Sequence, residues 1–164
     1  MIKKIKGLVA VIAVLASVLV FAGCGNSTGS DGLPGNMGKE YNGEAVTVRS
    51  YEPQSINLSF FHDKNELAMS SDTIYDTSDS KNLNYTVIEE SDLGKTEKSN
   101  EAKYNKKYQD KLKDKELFYL RVKGLYSVET SYWELGVAKD GKKIEMIPLS
   151  EECYEADIHA DLAD

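Results

Sequence analysis

Residues 133–148 read WELGVAKDGKKIEMIP, and this stretch decides the fold class. Asp140-Gly141 is a dipeptide that accepts the left-handed backbone of a tight hairpin turn. A two-residue turn there sets Val137 opposite Ile144, Leu135 opposite Met146 and Trp133 opposite Pro148. All three pairs are apolar and fall on one face, so turn chemistry and hydrophobic pattern agree on a single register. Pro148 lacks an N–H and belongs near a strand end or an edge. Trp133, the only tryptophan, is expected to anchor the core of this sheet rather than to hold a ligand.

The same alternation extends outward on both sides. Val46 and Val48, then Ile56, Leu58 and Phe60, then Leu83, Tyr85 and Val87 repeat every second residue, as do Phe118, Leu120 and Val122 and the run Tyr126, Val128, Thr130, Tyr132. Period-two alternation with one wet face marks antiparallel sheet. The expected fold is therefore mainly β: a small antiparallel β-sandwich or curved sheet with one lysine-rich helix or loop. The globular domain is placed at residues 41–149. Residues 62–82 are polar, with Leu67, Met69, Ile74 and Tyr75 as the core contacts of a long connection holding one short strand.

Flanking segments differ in composition. Residues 25–38, GNSTGSDGLPGNMG, contain five glycines, and 24–40 is expected to be a flexible tether with a mean span on the order of 20 Å. Residues 150–164 hold six acidic residues and no Lys or Arg, which predicts a solvated acidic tail. Within it Asp157, His159 and Asp161 converge only on a strand, where they could recruit a divalent cation; no metal site is expected. Cys153 lies among Glu151, Glu152 and Glu155, whose charge disfavours a reactive thiolate.

Residues 95–115 carry eight lysines and four acidic residues. As a helix, the segment sets Lys103, Lys107, Lys111 and Lys115 on one stripe beside Tyr104, Tyr108 and Leu112. Such rows suit an anionic polymer or lipid head groups, with Lys103, Tyr104, Lys107, Tyr108 and Lys111 as contact residues. The alternatives are a helix covering the sheet with its tyrosines inward and its lysines solvated, or a loop, since no capping box or terminal glycine frames it.

At the N-terminus, Lys3, Lys4 and Lys6 precede an apolar run from Gly7 to Val20 that ends in Phe21-Ala22-Gly23-Cys24. This resembles the signal and lipobox of a bacterial lipoprotein, with Phe21 where such signals most often have leucine. The resemblance covers residues 1–23 and Cys24 only. It implies cleavage before Cys24, a diacylglyceryl (palmitate-type) thioether on that residue, and a protein held at the extracytoplasmic face of the cell membrane. Two acyl chains anchor stably, at about 0.8 kcal/mol per buried methylene.

Removing 23 of the 164 residues leaves 141, enough for one domain. With Lys3, Lys4 and Lys6 gone, 17 basic residues face 27 acidic ones, a net charge of −10 that argues against nucleic acid as a partner. With Cys24 lipidated, Cys153 has no intrachain partner, which excludes a disulfide scaffold. No G-x-S-x-G, H-E-x-x-H or phosphate-binding glycine loop occurs, and Asp76–Ser80 fails the calcium-loop pattern at its sixth and twelfth positions, Lys81 and Val87. The two histidines, His62 and His159, fall in a polar connection and in the tail, poor places to hold a general base. The expectation is a non-catalytic binding or interaction domain of the cell envelope, without cofactor. Its partner would be an envelope protein, a carbohydrate or an anionic wall polymer. The rivals are an inhibitor of a secreted hydrolase and a small carboxylate-based enzyme.

Overall fold

The structure is a computed structural model that describes residues 27–46, 53–70, 81–124, 129–150 and 157–163. Eight strands follow in chain order: β1 Glu40–Val46, β2 Gln54–Phe61, β3 Glu66–Ser70, β4 Lys81–Ile88, β5 Lys115–Lys123, β6 Thr130–Ala138, β7 Lys143–Pro148 and β8 Asp157–Leu162. Each pairs antiparallel with the next, and β8 returns to pair with β1, closing a barrel. The mainly β expectation holds. The sheet closes on itself, however, instead of stacking as a sandwich or staying open.

The period-two pattern explains the interior. Ile56, Leu58 and Phe60, then Leu83 and Tyr85, then Leu120 and Val122, then Trp133, Leu135 and Val137 point inward and form one buried cluster. Eight strands make a barrel whose bore side chains can fill, and here Trp133, Tyr41, Tyr85 and Phe60 are among the fully buried residues that fill it. The predicted register of the β6–β7 hairpin is reproduced: Val137 opposite Ile144, Leu135 opposite Met146, Trp133 opposite Pro148. The turn itself differs. Gly141 N donates to Ala138 O at 2.8 Å, so the tight turn spans Ala138–Gly141, and Gly141 at its last position takes a left-handed φ of 71°. Packing decides this, because Tyr41 donates its hydroxyl to Gly141 O at 2.6 Å and Asn36 Nδ2 donates to Lys139 O at 2.9 Å.

Two domain boundaries are corrected. The segment read as an acidic tail supplies β8, with six residue pairs to β1 and four to β7, and its Ile158 and Ala160 are buried. The two apolar residues alternate with Asp157, His159 and Asp161, a strand pattern that the segment's acidity masks. The barrel therefore reaches Leu162. The segment read as a flexible tether is folded from Ser27 onward: Thr28 and Pro34 form an isolated bridge, and Leu33 is fully buried in the barrel core. Its many glycines serve close approach. A Cβ on Gly35 would collide with Ser27 O, and Gly32 takes a φ of 88°.

The lysine-rich segment is helical, α1 Lys95–Lys107 followed by the short α2 Gln109–Leu112. Gly94 caps α1 without a side-chain bond, so burial rather than capping holds it. Leu93, Tyr104 and Leu112 pack on the outer wall of the barrel against Ile147 and Leu149, flanked by Tyr108, Tyr119 and Tyr132. This covers β6 from outside, so its outward Glu134 and Gly136 are buried along with its inward residues. Among the described residues no helix is long and apolar enough to cross a membrane. Cys24, Cys153, Ile74, Tyr75, the Asp76–Ser80 segment, Val48, Tyr126 and Val128 lie outside the described residues.

Candidate functional site

Because the bore is filled, the chemistry gathers outside it, in three places. The first is a cleft of about 400 Å³ on the wall at the β1–β8 seam, between β1, β7, β8 and α2. Glu145 of β7 points outward beneath α2 and is 2% exposed. Its Oε1 lies 2.6 Å from His159 Nδ1 and 3.9 Å from Lys115 Nζ, while its Oε2 has no hydrogen-bond partner among the described residues. Burial pushes the Glu145 carboxyl up from its ordinary range, against the opposing pull of His159, Lys111 and Lys115. Lys111 Nζ donates to Asp157 Oδ2 at 3.0 Å. Burial alone would lower that lysine, but the bond and charge of Asp157 outweigh it and hold the ammonium above its usual value. Lys115 Nζ also donates to Lys111 O. Glu44, Val46 and Asp110 complete the rim.

The second cluster closes one end of the barrel. Asp31 Oδ2 accepts from the Tyr85 hydroxyl at 2.5 Å and lies 2.6 Å from His62 Nδ1, while Asp31 Oδ1 accepts from Leu33 N at 3.2 Å. Burial raises the Asp31 carboxyl, but the Tyr85, His62 and Leu33 bonds together outweigh it and keep the group below its usual range. His62 also places Nε2 3.2 Å from Gly38 O and stacks on Phe60. Every polar atom of this cluster that the contacts describe is spent on holding residues 31–38 over the barrel mouth, which marks it as structural.

The third lies under α1. Glu134 is fully buried, and Asn105, with its amide nitrogen turned toward the carboxylate, donates to Oε1 at 3.2 Å and Oε2 at 2.9 Å. Burial, with the neighbouring Glu101 charge, pushes Glu134 up to about 7. The Tyr119 hydroxyl donates to Glu101 Oε1 at 2.6 Å. A carboxylate pair with a raised pKa is the feature an acid–base enzyme needs. Here Glu134 is buried beneath α1, while Glu101 stays partly exposed.

It does set a pH dependence of stability. An acid whose folded pKa lies above its unfolded value costs nothing while both states are protonated. The cost grows as pH rises from about 4.5 through about 7, then levels off, reaching on the order of 3 kcal/mol. Glu134→Gln is therefore expected to raise stability at pH 8 by up to about 3 kcal/mol and to change it little at pH 4.5. Urea unfolding at the two pH values checks this; an equal effect at both would show that Glu134 does not titrate in this range.

Of the five contact residues expected on the lysine helix, the structure brings only Lys111 into the cleft. Tyr104 is 7% exposed in the cluster under the helix and Tyr108 is half-buried, so the tyrosine row faces the barrel wall and Tyr104 cannot serve as a docking residue. Lys103 and Lys107 ride on these rings from outside, with Lys103 Nζ 5.0 Å from the Tyr104 centroid and Lys107 Nζ 4.7 Å from that of Tyr108. Asp157, His159 and Asp161 do share the outer face of β8, but each turns to its own partner: Lys111, Glu145 and, at 3.4 Å, Lys143. Among the described residues no three carboxylate, imidazole or thiol groups converge as a metal site.

Sequence reasoning missed Glu145 and the placement of both histidines. Each histidine is oriented by a buried carboxylate, Asp31 for His62 and Glu145 for His159. Glu145 carries a faint signal, being a charged residue between Ile144, Met146 and Ile147 in an otherwise apolar run. No family model, curated protein or solved structure matches the chain.

Proposed function

We propose that the protein is a lipid-anchored lipoprotein of the cell envelope whose barrel is a non-catalytic binding module. The observation that carries the binding half is the seam cleft: a solvent-open recess with a buried carboxylate whose Oε2 has no protein partner among the described residues. A filled bore directs recognition to this outer surface, and among the described residues the carboxyl raised most strongly, Glu134, is buried beneath a helix, which favours binding over catalysis. The signal-like residues 1–23 and Cys24 support the anchor.

The described residues are folded as far back as Ser27, which supports a close seat on the membrane. Only Gly25 and Asn26 separate Cys24 from it, and three residue steps span at most about 11 Å. In this reading the barrel end that carries residues 27–39, together with the 62–65 and 139–142 turns, faces the bilayer. The cleft then opens along the wall, reachable from the side.

The anchor is tested by expressing the full chain and a Cys24→Ala variant in a bacterium. The expected result is a wild-type protein in the membrane fraction, with mass spectrometry showing an acylated Cys24 at its N-terminus. The variant should lose that modification and leave the membrane. A wild-type chain still beginning at Met1, or equal membrane retention of the variant, removes the anchor.

A further inference from the structure

We propose that the seam cleft is a binding site for an N–H cation, a primary ammonium or guanidinium group, which donates to Glu145 Oε2. The inference deepens the binding-module reading and rests on it.

Three observations converge. Glu145 is a carboxylate more than nine-tenths buried that lines the cleft with an oxygen having no protein donor among the described residues. A buried acceptor left without a donor costs on the order of 1–3 kcal/mol, more when charged, so the site favours an occupant that supplies an N–H or O–H. The charge count selects between these. Glu44, Asp110, Glu145 and Asp157 face the recess against Lys111 and Lys115, a balance of −2 with His159 neutral and −1 with it protonated. Each lysine already shares its charge or a donor with the protein, Lys111 with Asp157 and Lys115 with Lys111 O, and the net negative charge of the lining disfavours an anion. A cation needs only to enter.

The fold makes the site rigid. Glu145 stands on a central barrel strand, His159 fixes its Oε1 from the neighbouring strand, and Glu44 extends the acidic rim from β1, where it pairs in register with His159. His159 thus acts as a positioning residue that holds the Glu145 carboxylate in place at the wall of the recess. The cation can come from a small amine or from a lysine or arginine side chain on a polypeptide.

The test uses the full chain in detergent, titrated with n-butylguanidinium, with the peptide Gly-Arg-Gly and with inorganic phosphate, read by the imidazole NMR signals of His159 and His62 and by calorimetry. Either cation is expected to shift the His159 signals saturably and leave those of His62 in place, and phosphate is expected to do neither. Tighter binding of the peptide assigns the source to a polypeptide; equal or weaker binding assigns it to a small amine. Glu145→Gln is expected to weaken binding at least tenfold, about 1.4 kcal/mol. Should that variant fail to fold, the rim double variant Glu44→Gln/Asp110→Asn reads the same charge and is expected to weaken binding by about threefold or more. No saturable shift with either cation overturns the proposal. So does a larger His159 response to phosphate, or cation binding undiminished in the folded variants. An acylated, membrane-bound protein that ignores both cations removes this inference alone; cation binding by a protein that lacks the acyl group removes the anchor alone.

Discussion

A chain stopped at Ser150 is expected not to form the barrel. It loses β8, and with it ten residue pairs to β1 and β7 and the buried side chains of Ile158 and Ala160. Full burial of one isoleucine alone is worth about 1.5–3 kcal/mol, against a typical total stability of about 5–15 kcal/mol for a domain. The greater loss is topological. Without β8 the two neighbouring strands become free edges with unpaired N–H and C=O groups, and the bore opens to water on one side. Size-exclusion chromatography should show aggregates or oligomers, and near-UV circular dichroism should lose its fine structure. The contrast with a solvated tail is sharp, because removing such a tail changes stability by no more than a few tenths of a kcal/mol. A truncated protein that stays monomeric with an unchanged Tm would show that β8 does not close the barrel.

Trp133→Ala is expected to cost about 3–5 kcal/mol, a large share of the whole. Trp133 is fully buried in the bore, and its indole Nε1 donates to Ser131 Oγ at 3.0 Å, which in turn donates to Val122 O at 3.4 Å. Alanine leaves a cavity in the middle of a barrel whose strands are tied on both sides, so the walls have little freedom to collapse inward. Trp133→Phe keeps most of the volume and isolates the hydrogen bond, with an expected cost of about 1–2 kcal/mol. Chemical denaturation followed by far-UV circular dichroism measures both. The wild type offers a second readout, since its single tryptophan should emit at the short wavelengths of an apolar environment. A loss under 1 kcal/mol for Trp133→Ala, or emission typical of water, would mean that Trp133 does not fill the bore.

How far the fold could be read in advance varied from strand to strand, for physical reasons. The strands β2, β4, β5, β6 and β7 bury one face only or carry clean alternation, and each was legible from its inward residues. The β1 strand was seen only at its end, through Val46, which turns out to be exposed on the outer face; EYNGEAV offers Tyr41, Gly43 and Ala45 as its inward row, and glycine gives no pattern to see. Gly43 is small because a Cβ there would collide with His159 O across the seam, a requirement set by a strand more than a hundred residues away. The lysine segment showed helical spacing but stayed open between helix and loop, and whether Tyr104 faced water or the wall depended on Ile147 and Leu149 waiting on the outside of β7 and just beyond it.

The candidate site was less legible than the fold. Lys111 stood out as one of a lysine row, yet its partner Asp157 is 46 residues on, and Glu145 meets His159 across 14. Local composition carries no trace of such pairings. Asp31 and His62 likewise read as loop residues until Tyr85 brings its hydroxyl to the same carboxylate.

By itself the sequence determined the class of the molecule: antiparallel strands, one hairpin register, a core tryptophan and a lysine-rich segment that could be helix or loop. Alternation and turn chemistry are short-range properties that each segment carries within itself. Only the tertiary structure decided that the sheet closes, that the acidic end is its last strand, that the glycine-rich start folds over its mouth, and that four acidic residues, two lysines and a histidine share one recess. Those outcomes depend on which distant strands become neighbours, and ring closure is a property of all eight together, written in none of them alone.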